Sequence, residues 1–366
     1  MSYLSLEGLQ KRFKRETVLD GLSLSVQRGE TVVVFGPSGC GKTVLLRLIA
    51  GVNDLDAGDI KVGGESIVDL APEARGVGMA FQNFALYPHM TAFENIASPL
   101  RAGRTAEADV KQRVGKLAEL LKIDHVLQHL PRELSNGQKQ RTALARSLAR
   151  APSVLLLDDP LRNVDAKLRY EMRLELPRLL REFEATALYV TQDYKEAMAL
   201  GDRIGVLLDG RFSQVERPEA IYGTPANQEI ARLFGDPTIN LYSCRPSQGP
   251  DCLNVELFGA QLPLDPALAT TAGRDCVLGI RPEHVHVALE GDETAMPVEL
   301  DAVMPLNIRA VLLLKTRDGQ EILASCTEEE AARFPRGHRA VWARIDMTQA
   351  LLFEAGSGAR IAGGLQ

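Results

Sequence analysis

Several things are scarce in this chain of 366 residues, and each scarcity excludes something. Aromatic residues make up 5%, there is one tryptophan, and no basic run is interleaved with aromatics. With a net charge of −6, that composition argues against a protein built to grip nucleic acid, so no nucleic-acid partner is expected. Unbroken apolar runs stop at four to six residues, as in Val154–Leu157 and Ala310–Leu314. A spanning helix needs about twenty, so the chain is not expected to cross a membrane itself. The opening stretch MSYLSLEGLQKRFKRE has neither an apolar core nor a small-residue cleavage site, and no secretory signal is expected. Five cysteines (Cys40, Cys244, Cys252, Cys276 and Cys326) contain no Cys-x-x-Cys pair, which predicts free thiols in a reducing cytoplasm. His125 and His129 are spaced as one helical turn, and His284 and His286 as one strand face. Neither pair has a third ligand nearby in sequence, so both are read as solvated surface rather than metal sites.

What is present is an ordinary globular composition, 45% apolar and 25% charged, at a length that predicts two domains. Up to about residue 235, buried-strand runs alternate with helical spacing. The strands are expected at Thr31–Phe35, Gly78–Phe81, Val154–Leu157, Ala187–Val190 and Ile204–Leu208, and the helices at Lys42–Ala50, Glu107–Leu121, Gly137–Arg150 and Ala166–Glu182. Such alternation predicts an α/β fold with a parallel sheet covered by helices. The first thirty residues and Gly58–Val68 read as a smaller antiparallel piece. At Gly235-Asp236-Pro237-Thr238 the texture changes, and 236–366 reads as a β-rich domain of small-barrel type. Arg317-Asp318-Gly319-Gln320 between two apolar runs signals a hairpin, because Asp-Gly tolerates positive φ. The Gly-rich tail, Gly356–Gln366, is expected to fray.

The sharpest chemical signal is Gly36-Pro37-Ser38-Gly39-Cys40-Gly41-Lys42-Thr43, flanked by a strand and an apolar-faced helix. In this P-loop pattern the glycines let backbone N–H groups wrap phosphates and the helix N-terminus adds its dipole. Lys42 reaches the outer phosphates, and the Thr43 hydroxyl ligates Mg²⁺. A second element, Asp158-Asp159-Pro160, ends a buried strand at the edge where open α/β sheets bind ligands. Asp158 is placed to hold Mg²⁺ and Asp159 to orient an attacking water. Alone, such a pair is more often a turn or helix cap; beside a P-loop the balance reverses. A third, Leu134-Ser135-Asn136-Gly137-Gln138, precedes a helix and by itself is an N-cap with a turn.

That third element resembles the signature sequence of ATP-binding cassette (ABC) proteins, usually LSGGQ. Other segments then fall into register. Phe81-Gln82-Asn83 resembles the Q-loop, and the residues on to Thr91 resemble the segment that receives coupling helices of a membrane partner. Phe13 stands where the family places a ring on adenine, Asn163-Val164-Asp165-Ala166 resembles the D-loop, and Gln192 occupies the place of the switch histidine. Gly279-Ile280-Arg281-Pro282-Glu283-His284 and Leu351–Ala355 resemble the C-terminal domain of maltose-type importer ATPases. The resemblance implies a P-loop NTPase cassette with a RecA-like core, antiparallel β and helical subdomains, over 1–235, followed by a β-rich OB-type domain over 236–366 for regulation or dimerisation. ATP and Mg²⁺ are the implied cofactors. Phe13, Gly36 to Val44, Ser135, Gly137 and Gln138 are the implied nucleotide contacts. Thr43, Gln82 and Asp158 are implied at the metal, and Asp159, Gln192 and Gln82 in catalysis.

The departures from the family pattern fall unevenly. Asp159 stands where the family has Glu, Gln192 where it has His, Asn136 replaces the first signature glycine, and Val44 replaces a second hydroxyl. The first two concern hydrolysis: a shorter carboxylate misplaces the water, and an amide carries no positive charge. Lys42, Thr43, Asp158 and Gln82 are retained, so ATP binding is expected to survive better than cleavage. The resemblance implies the ATP-binding subunit of an importer for a carbohydrate, polyol or glycerol-like solute, at the cytoplasmic face of the membrane. Its expected partners are permease subunits, a solute-binding protein and a second ABC ATPase, with a heterodimer favoured over a slow homodimer. A non-hydrolytic regulatory subunit is the other reading. An ABC ATPase of DNA repair or translation would bring a coiled-coil insertion, tandem cassettes or a basic surface, none of which the sequence has.

Overall fold

The structure is a computed structural model describing residues 2–14, 16–162, 164–249, 252–292, 294–306, 308–334 and 339–362. Asn163 of the D-loop segment and the last four residues of the tail lie outside these. Two compact units divide the chain, Met1–Pro218 and Glu219–Gln366.

In the first unit, β1 (Leu4–Phe13) and β2 (Glu16–Val26) form a hairpin, followed by β3 (Thr31–Phe35) and α1 (Lys42–Ile49). Then come β4 (Ala57–Val62), β5 (Glu65–Ser66), β6 (Val77–Ala80), α2 (Ala92–Ala102), α3 (Glu107–Leu120) and α4 (Asn136–Leu148). The rest is β7 (Val154–Asp158), α5 (Ala166–Glu182), β8 (Thr186–Thr191), α6 (Tyr194–Leu200), β9 (Arg203–Leu208) and β10 (Arg211–Glu216). Six strands pair in the order β10-β9-β3-β8-β7-β6, all parallel except β10. An antiparallel sheet, β2-β1-β4-β5, forms the smaller piece. Strand periodicity explains their packing. Val32 and Val34, Val154 and Leu156, and Leu188 and Val190 share one face, and join Leu45, Leu46, Leu48 and Ile49 of α1 and Leu4, Leu6 and Leu9 of β1 in one buried cluster. The helices α2, α3 and α4 pack on one another as a separate layer. Thr91 and Glu94 make a reciprocal capping box that starts α2, a T-x-x-E signal that the periodicity reading passes over.

The second unit opens with α7 (Pro218–Gly223) and α8 (Gln228–Leu233), which the sequence reading places in the cassette. The buried Arg281 supplies the reason: its guanidinium donates to the Tyr222 carbonyl at 2.5 Å and the Phe234 carbonyl at 2.7 Å, and stacks 3.5 Å from the Tyr222 ring centroid. The break between units therefore falls at the first residue of α7, after Pro218. The strands are β11 (Asn240–Cys244), β12 (Ser247–Gln248), β13 (Leu253–Leu257), β14 (Ala260–Pro263), β15 (Cys276–Ile280), β16 (Val285–Ala288), β17 (Met296–Leu306) and β18 (Arg309–Lys315), then β19 (Glu321–Thr327), β20 (Arg339–Ile345), β21 (Leu351–Glu354) and β22 (Arg360–Ile361). They form three sheets, and the unit's buried apolar side chains gather in a large cluster and a smaller one at Ala231, Ile239 and Phe353. The β18–β19 hairpin closes as the Thr316 N–H donates to the Gln320 carbonyl at 2.9 Å, with the positive φ on Gly319 and not on Asp318. Neither histidine pair has the expected setting. His125 lies in a 3₁₀ turn, Asp124–Val126, that ends before His129, and His284 lies in a turn that precedes the strand carrying His286. Cys40, Cys244, Cys252, Cys276 and Cys326 are free thiols. Among the described residues, no helix is long and apolar enough to cross a membrane, and no three His, Cys, Asp or Glu gather as a metal group.

Candidate functional site

Parallel strands bring their C-terminal ends to one edge, and the register fixes which residues meet there. Phe35 pairs with Thr191, Asp158 with Val190, and Ala80 with Leu157. The next residues along each strand are Gly36, Gln192, Asp159 and Phe81-Gln82. Four segments singled out from sequence thus emerge side by side.

The P-loop is shaped by two glycines that no other residue replaces. A Cβ on Gly36 would meet the Leu207 carbonyl oxygen at 2.4 Å, and Gly41, the N-cap of α1, has φ +104°. A Cβ on Gly41 would also press on Val18 and Leu19, which places the β1–β2 sheet against the loop. Lys42 is buried, and its Nζ donates to the carbonyls of Gly36 at 2.8 Å and Pro37 at 2.6 Å, with the Cys40 Sγ at 3.6 Å. The ammonium is thereby fixed inside the turn of the loop. Burial pushes the Cys40 thiol up, against the pull of Lys42, so this cysteine is held as a thiol.

The Thr43 hydroxyl donates to Asp158 Oδ1 at 3.0 Å, joining two of the three expected metal-side residues. Burial raises the Asp158 pKa, and the bond from Thr43 opposes the rise. Two hard oxygen donors in contact beside a phosphate-binding loop fit Mg²⁺, which takes oxygen ligands. Asp159 is also buried, adopts a left-handed backbone at φ +45°, and donates its N–H to the Val190 carbonyl at 2.9 Å. Burial pushes its carboxyl up to about 6, with Arg162 at 3.8 Å pulling the other way. A carboxylate near 6 is mostly ionised at neutral pH yet basic enough to accept a proton.

Gln192 is exposed where β8 ends. Behind it lies a buried polar network that the sequence reading does not identify. Tyr189 Oη and Thr191 Oγ1 both donate to Glu196 Oε2, at 2.8 and 2.9 Å, and Arg173 of α5 pairs with Asp193, the N-cap of α6, at 2.5 Å. Burial raises the Glu196 pKa, while the bonds from Tyr189 and Thr191 lower it. No local pattern marks these residues; only the fold brings them together.

Ser135 caps α4, accepting from the Gln138 N–H at 3.3 Å while Gln138 Oε1 accepts from the Ser135 N–H at 2.9 Å. Ser135 and Asn136 are exposed and Gly137 is buried. Among the described residues, no hydrogen bond or ion pair joins Ser135, Gly137 or Gln138 to Gly36–Val44. Phe13 is 44% exposed at the end of β1, with Lys11 Nζ 5.4 Å from its ring centroid. A cleft of about 880 Å³ within this unit is lined by Met79, Phe81, Ala85, Tyr87, Pro99 and Arg146, among others.

The chain is similar to proteins of known family. Residues 19–162 match the ABC transporter family. The chain is 41% identical over 324 residues to the sn-glycerol-3-phosphate import ATP-binding protein UgpC of Cereibacter sphaeroides, covering 88% of this chain and 90% of that one. The same-named protein of Escherichia coli K12 is 38% identical over 364 residues, covering 99% and 100%. The osmoprotective compounds uptake ATP-binding protein GgtA of Synechocystis is 38% identical over 328 residues, covering 88% and 90%. A dimeric post-hydrolysis structure of the ATP-binding cassette MJ0796 with ADP and Pi superposes at a TM-score of 0.54 and 30% identity, over 59% of this chain and 98% of that one.

Proposed function

Because the chain belongs to the ATP-binding proteins of the ABC transporter family, we propose that it powers uptake of a glycerol-phosphate, carbohydrate or polyol solute, with a site that binds ATP more readily than it cleaves it. The family binds ATP with Mg²⁺ and hydrolyses it. The carrying observation is the Thr43–Asp158 contact beside Lys42, which supports a phosphate-binding and metal-binding role for these groups. Lys42 would meet the outer phosphates, the N–H groups of Gly39 to Val44 would wrap them, and Phe13 would stack on the base. Thr43, Asp158 and Gln82 would hold Mg²⁺, whose charge offsets that of the phosphates. Asp159 would orient and deprotonate the attacking water, and Gln192 would donate its amide to a γ-phosphate oxygen.

Ser135, Gly137 and Gln138 would serve the nucleotide of an opposite subunit, in keeping with the absence, among the described residues, of a hydrogen bond or ion pair from them to Gly36–Val44. Asp159 in place of Glu and Gln192 in place of His weaken this chain's own site, while its signature completes the partner's. A second ABC ATPase with both groups intact is therefore the preferred partner, over a slow homodimer. The segment Gln82–Thr91 and the cleft beside it would receive permease helices, holding the chain at the cytoplasmic face, with a solute-binding protein delivering cargo. The glycerol-phosphate part of this reading rests on the names of the relatives.

The test is ATP turnover by the purified chain, alone and with candidate partner subunits and permeases. Slow turnover alone, raised at least tenfold in the assembly, is expected. Ordinary ABC rates from the chain alone, unchanged by any partner, would contradict the heterodimer. Transport should also stop when Lys42→Ala is introduced.

A further inference from the structure

Phe84 and Ala85, two consecutive residues with side chains, both have left-handed backbone, φ +63° and +45°. L residues avoid this region, so a pair in sequence persists only where the surroundings hold it. The holder is Arg146, in the last turn of α4. Its Nη1 donates to the Ala85 carbonyl at 2.7 Å, its Nη2 to the Phe84 carbonyl at 3.1 Å, and its guanidinium lies 5.5 Å from the Tyr87 ring centroid. One planar fork thus holds both carbonyls of the kink, which a single ammonium does less well. From the other side, the fully buried Asn95 accepts from the Tyr87 N–H at 2.8 Å and donates to the Met90 and Thr91 carbonyls at 2.9 and 3.0 Å. The kink begins two residues after Gln82, at the edge that carries Asp158.

We propose that Arg146 is a positioning residue for Gln82. Its fork fixes the left-handed kink, the kink fixes where Gln82 stands at the sheet edge, and the helix begun at Ser135 is thereby tied to the Gln82–Thr91 segment. The meaning given to Gln82 rests on the function proposed above; the backbone clamp does not. Hydrogen exchange on the full chain tests the clamp. In R146A, amides between Phe84 and Met90 exchange at least tenfold faster, R146K gives an intermediate rate, and peptides from β7 and α3 keep theirs. Ala85→Gly placed in R146A restores about fivefold of the protection, because glycine takes the left-handed region freely. Single-turnover ATP cleavage falls about tenfold in R146A with ATP affinity within threefold of wild type, the pattern of a displaced Gln82 rather than a lost fold. Exchange within twofold of wild type in R146A overturns the proposal, as does an R146K chain identical to wild type, or equal loss of affinity and cleavage. If R146A unfolds, R146K decides by the same exchange readout. A wild-type chain that binds no ATP contradicts the proposed function and leaves the exchange comparison standing.

Discussion

The two halves of the sheet edge are built differently. On the P-loop side, Lys42 is held by two loop carbonyls and Thr43 is bonded to Asp158, so each polar group has a defined partner. On the proposed hydrolytic side, Asp159 is buried with Arg162 at 3.8 Å and its carboxyl pushed up to about 6, and Gln192 is exposed at a strand end. Sequence departures from the family fall on that second side at Asp159 and Gln192, although Val44 and Asn136 also differ. The contrast teaches that, under the proposed roles, grip on the phosphates and attack on them would use different strand ends, so that one could weaken while the other is kept.

Breaking the binding half is expected to have the largest effect. Lys42→Ala should lower ATP affinity a hundredfold or more in an equilibrium titration, since it removes the charge-assisted contact to the outer phosphates. A loss under tenfold would mean that the loop backbone alone carries the grip. The next effect sharpens the hydrolytic half through stability. Asp159 has a folded pKa near 6 against about 4 unfolded, so as pH rises from 4 to 6 the unfolded chain loses its proton first and stability falls. Asp159→Asn should therefore stabilise the chain at pH 7.5 by on the order of 2 kcal/mol, and by nothing below pH 4, in denaturant unfolding. Equal stabilisation at both pH values would show that ionisation is not the cause. The smallest effect is expected at the junction of the halves. Thr43→Val should raise the Mg²⁺ concentration needed for half-maximal ATP binding about tenfold, while metal-free nucleotide affinity changes little.

Much of this was legible in the sequence, because the informative residues act locally. The P-loop glycines answer to backbone geometry, the Ser135–Gln138 capping box to helix termini, and the apolar strand runs to burial in a parallel sheet. The fold then brings the Thr43 hydroxyl and Asp158 into contact. The illegible parts are those decided by distant partners. Arg146 looks like any helical arginine until its carbonyl partners, some sixty residues away, are seen. Glu196 looks like a surface residue until Tyr189 and Thr191 close over it. The helices α7 and α8 continued the cassette's helical texture, yet Arg281, just past β15 of the second unit, binds Tyr222 in α7 and Phe234 at the end of α8. The β18–β19 hairpin was found, but its turn places positive φ only on Gly319.

If, as proposed, this chain binds ATP better than it cleaves it, a paired measurement of binding and cleavage will separate the two. ATP affinity and single-turnover cleavage are measured on the full chain, in wild type and in a variant carrying Asp159→Glu and Gln192→His. Unchanged affinity within threefold, with cleavage at least tenfold faster in the variant, is the expected result. Equal cleavage rates in the two chains would contradict it.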